Sequence, residues 1–156
     1  MKSCHSAHSV KEPYPNAIGA GYTAQKIISE GILALVVDDC PLVREFAATM
    51  LAKLSYKVHK ASEGCEALLY LKESSCQLVL TDYEMPAING FQLGLKIKNL
   101  FPETRVVIMT GLDQASVTDM VREPIIDAWL FKPFGMQEFK RALEMIGLPV
   151  PEGQLR

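Results

Sequence analysis

An open parallel α/β sheet with helices on both faces is the fold class this sequence predicts. Two patterns predict it. The apolar runs Ile32 to Val37, Leu78 to Leu80 and Val106 to Met109 are continuous rather than alternating, as in strands buried on both faces. Between the runs lie stretches whose apolar residues recur at helical spacing, so strand and helix alternate along the chain. A third observation concerns chemistry. The first run ends on Asp38-Asp39, the second passes through Thr81 to Asp82, and the third ends on Thr110. A later run, Trp129-Leu130-Phe131, ends on Lys132-Pro133. Open α/β sheets bind ligands at the carboxyl ends of their strands, so these residues are expected in one pocket.

The elements follow in order. Strand 32–37 leads into a helix with Pro41 in its first turn, where a missing N–H costs least. Leu42, Phe46, Met50 and Leu54 recur along that helix, with Val43, Ala47 and Leu51 beside them. Lys57 to Lys60 is a short polar strand suited to a sheet edge. A helix over 63–72 is expected to bury Ala67, Leu68 and Leu71. Strand 77–81 precedes the loop Met85-Pro86-Ala87-Ile88-Asn89-Gly90 and a helix over 91–99 that Pro102 stops. Strand 105–109, a weak helix over 115–122 ending before Pro124, and strand 128–131 come next. The last helix, 136–146, turns Phe139, Leu143 and Ile146 inward. The alternation amounts to five β/α units, and right-handed crossovers leave few ways to connect them.

The chain of 156 residues has room for one ordinary domain, expected over 30–146, and no second domain is expected in the ten residues after Ile146. Residues 1–29 show little periodicity and read as a mobile extension, with a short helix over 23–30. Cys4, His5 and His8 there form only a weak metal-binding pattern. Gly147, Pro149, Pro151 and Gly153 mark 147–156 as a tail. A net charge of −2 gives no footprint for nucleic acid, so direct DNA binding is not expected. No apolar stretch approaches the ~20 residues of a membrane span, and no apolar core follows Met1-Lys2-Ser3 as in a signal peptide. Cys4, Cys40, Cys65 and Cys76 lack C-x-x-C spacing and read as free thiols in a reducing cytoplasm.

Carboxylates gathered in one place repel, and one buried without a partner takes up a proton or destabilises the fold. A hard divalent cation relieves this, and magnesium accepts one or two carboxylates with water completing its shell. Asp38, Asp39 and Asp82 therefore read as a Mg2+ site. A carboxylate beside such an ion can act as a nucleophile toward phosphorus. Lys132 offers a compact charge for a phosphoryl oxygen and Thr110 a hydroxyl donor. Pro133 biases the preceding backbone toward extended geometry. Each feature alone has a plainer reading. An Asp-Asp pair suits a helix N-terminus, Thr110-Gly111 suits a turn, and a tryptophan near a strand end suits a core. Cys40, beside the acid pair, reads as an incidental cysteine at a helix start rather than a redox handle.

Four motifs in order, Val36-Val37-Asp38-Asp39, Thr81-Asp82-Tyr83-Glu84-Met85-Pro86 with Gly90, Met109-Thr110-Gly111 and Phe131-Lys132-Pro133-Phe134, give residues 32–146 a resemblance to two-component response-regulator receiver domains of the single-domain, chemotaxis-regulator kind. That resemblance implies a flavodoxin-like, doubly wound five-stranded sheet of strand order 2-1-3-4-5. It implies that Asp82 accepts a phosphoryl group from a histidine kinase or phosphotransfer protein. Asp39 would bind Mg2+ directly and Asp38 largely through water, with the backbone carbonyl of Glu84 as a further ligand. Thr110 would move toward the phosphoryl group and Lys132 would contact it. Trp129, three residues before Lys132 and the sole tryptophan, would be the aromatic switch. Glu84 and Leu112 occupy positions that in this family tune phosphoryl lifetime, and 124–127 departs from the usual small-residue approach to the fifth strand.

The expected protein is thus a stand-alone cytoplasmic phosphorylation switch or phosphorelay intermediate, not an enzyme in the ordinary sense. It would pass its signal to a downstream protein through the face made by the fourth helix, fifth strand and last helix. Two other readings remain open from the residues. One is a small magnesium-dependent phosphohydrolase with an aspartyl nucleophile, since Glu84 lies two residues after Asp82. The other is an interaction module indifferent to phosphorylation.

Overall fold

The computed structural model describes residues 30–120 and 125–151. Residues 1–29, with Cys4, His5, His8 and most of the helix expected over 23–30, lie outside the described residues, as do 121–124 and 152–156. The order of elements is β1 (Leu33–Val37), α1 (Pro41–Lys53), β2 (Lys57–Ala61), α2 (Gly64–Glu73), β3 (Leu78–Asp82), α3 (Gly90–Leu100), β4 (Arg105–Thr110), α4 (Gln114–Met120), β5 (Ala128–Phe131) and α5 (Met136–Met145). All strand pairs are parallel, and the five strands lie in the order β2-β1-β3-β4-β5.

The continuous apolar runs are explained by two cores, one on each face of the sheet. Ala34, Val36, Leu78, Leu80, Val107 and Met109 point to the face covered by α1 and α5. Leu35, Val37, Val79, Val106 and Ile108 alternate with them and pack beneath α2 and α3. Side chains at successive strand positions emerge on opposite faces, so a strand buried on both sides has no polar position to spare. β2 has a neighbour only in β1, and its exposed Lys57, His59 and Lys60 fit an edge.

Three details depart from the periodicity. On α1 the buried residues are Ala47, Ala48, Met50 and Leu51, whereas Leu42 is 82% exposed and Phe46 51% exposed. The first turn of α1 lies at the carboxyl edge of the sheet, where there is no strand surface to cover it. On α2, Ala67 and Leu71 are buried as expected, but Leu68 is only half-buried. The segment after α5 is no free tail over its described part. Gly147 takes a φ of 73°, its N–H bonds to the Glu144 carbonyl at 3.0 Å, and Leu148 N–H bonds to the Leu143 carbonyl at 3.0 Å. That pairing is a Schellman motif, in which a residue of positive φ reverses the chain and satisfies the last helical carbonyls. The reversal buries Leu148, and the Tyr56 hydroxyl donates to the Pro149 carbonyl at 2.8 Å.

At the opposite end of the sheet from the acids, Asp127 joins three elements. Its carboxylate accepts from Lys98 Nζ at 2.8 Å, Arg105 Nη1 at 3.0 Å and the Val106 N–H at 2.7 Å. The side chain is 12% exposed, so the bonds are shielded from water. Asp127→Ala strands a backbone donor and leaves two cations without their shared partner. The expected loss is about 2–3 kcal/mol in urea unfolding. Asp127→Asn, which keeps an acceptor for Val106, is expected to lose less.

Candidate functional site

The parallel register decides which chain ends meet. β1 pairs with β3 through Val37 and Thr81, and β3 pairs with β4 through Asp82 and Met109. The residues that follow β1 and end β3 and β4 therefore share one edge. Asp38, Asp39 and Asp82 each present a carboxylate oxygen there, all within 4.8 Å of one another. Asp38 and Asp82 are buried and Asp39 is exposed. Lys132, just past β5, reaches Asp82 Oδ1 with its ammonium at 2.6 Å. Its backbone N–H bonds to the Thr110 carbonyl at 2.7 Å, and the Lys132–Pro133 peptide is cis. Thr110 is buried, and its Oγ1 accepts the Leu112 N–H at 3.0 Å, so the hydroxyl oxygen is engaged in its own turn.

Asp38 serves two purposes with its two oxygens. Oδ1 accepts the N–H of Cys40, the N-cap residue of α1, at 2.8 Å. This answers the helix-start reading of the acid pair, but only for one oxygen. Oδ2 is buried and has no hydrogen-bond partner. A carboxylate oxygen left so is costly unless a cation satisfies it. Burial raises the Asp38 carboxyl above its ordinary value; the Cys40 bond opposes that rise, and the charge on Asp82 adds to it. The donor set is hard oxygen, clustered, and short of positive charge, which fits a divalent cation of the magnesium kind.

Trp129 is half-buried on the α2–α3 face, between Tyr83 at a centroid distance of 6.2 Å and Phe91 at 6.3 Å. In β5 it pairs with Ile108, while Phe131 pairs with Thr110. Glu84 has an exposed side chain.

Two supporting residues escaped the sequence reading. Arg44, on α1, donates from Nη1 to the Asp38 carbonyl at 2.5 Å and braces the acid turn. No sequence signal marks it, because the contact depends on how α1 leaves the sheet. Gly90 belongs to the second motif, and the structure supplies its reason. A Cβ at Gly90 would lie 2.1 Å from the Asp82 carbonyl oxygen, and the Gly90 N–H bonds to the Tyr83 carbonyl at 2.9 Å. Only glycine lets α3 begin against the backbone of Asp82.

An acidic pocket closed by a lysine stands at the carboxyl edge of a sheet of order 2-1-3-4-5. The family model described as the response regulator receiver domain matches residues 34–144, and the chain belongs to that family. Protein PilG of Pseudomonas aeruginosa is 30% identical over 120 residues, covering 74% of this chain and 87% of PilG. Sensor histidine kinase RcsC of Salmonella typhi is 31% identical over 115 residues, covering 74% of this chain but 12% of the kinase. The match to such kinases is thus to a small part of their length. Among solved structures, response regulator TrrA of Thermotoga maritima in complex with Mg(2+)-BeF aligns with a TM-score of 0.65 and 26% identity, covering 74% of this chain and 98% of that one.

Two outcomes test this geometry. A raised carboxyl pKa in the folded state means that Asp38 favours folding when protonated. That contribution is lost as pH rises from the ordinary aspartate value of ~3.9 through the folded pKa. Asp38→Asn, free of metal at pH 7, is therefore expected to melt at a higher temperature than wild type. Added Mg2+ should raise the melting point of wild type and leave that of the variant nearly unchanged. Gly90→Ala is expected to cost about 1–3 kcal/mol in chemical denaturation, because the methyl group meets backbone rather than a movable side chain.

Proposed function

We propose that this domain is a phosphorylation switch whose acceptor is Asp82. The contact that carries the reading is Lys132 Nζ to Asp82 Oδ1 at 2.6 Å, in a pocket that also gathers Asp38 and Asp39. In the reaction a carboxylate oxygen of Asp82 attacks the phosphorus of a phosphohistidine on a sensor kinase or phosphotransfer protein. The new P–O bond replaces the P–N bond, and the imidazole nitrogen leaves with the electron pair. Lys132 then bonds a phosphoryl oxygen in place of the carboxylate. Thr110 turns its hydroxyl from its own turn toward the phosphoryl group.

Asp38, Asp39, Asp82 and the backbone carbonyl of Glu84 would hold Mg2+. When bound, the ion supplies the positive charge that lets the carboxylates lie together and offsets charge on the phosphoryl oxygens. The partnerless Oδ2 of Asp38 and the Mg(2+)-BeF complex of TrrA support this assignment.

The output is a change at α4, β5 and α5, read by another protein. Met120, Ile125 and Met145 are exposed there, and a cleft of about 180 Å³ is lined by Trp129, Phe131, Glu138, Arg141 and Met145. Movement of Thr110 and Trp129 shifts the population of this face between two arrangements, and a partner that favours one of them binds accordingly. A cytoplasmic setting is part of the reading. Cys40, Cys65 and Cys76 are free thiols, which suits a reducing compartment, and no helix among the described residues is long and apolar enough to cross a membrane.

Intact-protein mass after incubation with Mg2+ and acetyl phosphate tests the chemistry. Wild type is expected to gain one phosphoryl mass, which disappears without Mg2+ and in Asp82→Asn. Wild type that gains no mass and releases no phosphate would overturn the switch reading. Steady phosphate release at enzyme-like rates, with no adduct, would replace it with hydrolase turnover.

A further inference from the structure

Tyr83 follows Asp82 directly, and its backbone leaves it little freedom. Its N–H bonds to the Met109 carbonyl at 2.8 Å, and its carbonyl accepts the Gly90 N–H at 2.9 Å. The side chain reaches two elements. Its hydroxyl donates to the Met120 sulfur, the last residue of α4, at 3.7 Å. Its ring lies 6.2 Å from Trp129 at an interplanar angle of 48°, within the range in which aromatic pairs attract. Phe91, near the start of α3, closes the other side of Trp129 at 6.3 Å.

The contact with Met120 matters because few others hold the described part of α4. Of residues 114–120, Val117 is the one that is buried. The first turn is held locally, with Asp113 Oδ1 accepting the Ser116 N–H at 2.8 Å. A segment this lightly packed opens easily, so even a weak hydroxyl–thioether bond is a sizeable share of what holds Met120.

We propose that Tyr83 is a positioning residue that ties the Asp82 loop to two elements, α4 through Met120 and β5 through Trp129. The tether itself is a property of the unmodified protein. Its use as a signal path rests on the reading of Asp82 as phosphoacceptor. With the Tyr83 backbone held, a change in charge and volume on the Asp82 side chain reorients the adjoining Tyr83 side chain, whose hydroxyl and ring displace Met120 and Trp129 together. This route leaves β3 by its own next residue and is separate from the one through Thr110 in β4.

Hydrogen exchange of the α4 amides, Trp129 emission and intact mass test both halves. Without phosphodonor, Tyr83→Phe and Met120→Leu are each expected to speed exchange over 114–120 about threefold, the effect of one modest hydrogen bond. The double variant should be no faster than either single one, since both remove the same contact. Met120→Gln, which keeps an acceptor for the hydroxyl, should exchange nearly as wild type, an outcome that packing alone does not produce. Wild-type exchange in Tyr83→Phe overturns the tether. With Mg2+ and acetyl phosphate, Tyr83→Leu should still gain the phosphoryl mass while its Trp129 emission change falls by more than about half. A full emission change in phosphorylated Tyr83→Leu overturns the signal path. Absence of an adduct in wild type refutes the phosphoacceptor reading and the signal path with it, and the exchange data still decide the tether.

Discussion

Asp38, Asp39 and Asp82 hold carboxylate oxygens within 4.8 Å of one another at the edge of a sheet that lies between two apolar cores, and the rest of the site is arranged around that charge. Burial denies two of these acids full hydration, and their mutual repulsion adds to the cost. The protein meets part of it internally. Lys132 takes one oxygen of Asp82, the Cys40 N–H takes one of Asp38, and Arg44 steadies the Asp38 carbonyl. Asp38 Oδ2 is the remainder. The pocket is thus over-supplied with negative charge, with one lysine against it.

Such a cluster needs a rigid base, and the sheet provides it. β1, β3 and β4 are sandwiched between two apolar cores, so register slips would move whole rows of side chains to the wrong face. The acids cannot relax apart by sliding a strand. Gly90 adds a second constraint, since α3 starts in contact with the Asp82 backbone. At the opposite edge, Asp127 fastens β4 to Lys98 of α3 and to its own approach to β5. The fold is therefore stiff under the acids and held by polar bonds at its far end.

The lightly packed groups lie on the other side of the pocket. Among the described residues of α4 only Val117 is buried, and Trp129 is half-buried between two aromatic rings. Elements held this lightly sit at the low end of local stability, where small free energies redistribute populations. The sheet under the acids is thus packed on both faces, while the described part of α4 is packed lightly.

Much of this was legible in the residues alone. Continuous apolar runs can be satisfied only by helices on both faces, so the parallel α/β class follows from sequence. The acids and Lys132 stand at run ends, and strand ends of such a sheet converge, so the closeness of these four side chains was legible too. Features that depend on where one element stops relative to another were not. Leu42 has helical spacing yet stands exposed, because the sheet does not extend under the first turn of α1, and Phe46, a turn later, is 51% exposed with its ring 6.1 Å from that of Phe134. Gly147 looked like the start of a tail and is a helix terminator that folds Leu148 onto the core. Arg44, the clash that keeps position 90 a glycine, and the reach of Tyr83 to Met120 are contacts between segments distant in sequence. By itself the sequence determined the fold class and the chemical cast of the site, since periodicity and residue type are local properties. Tertiary structure alone decided which oxygen lacks a partner, which lysine distance results and which side chains touch α4, because those follow from packing angles that no local pattern encodes.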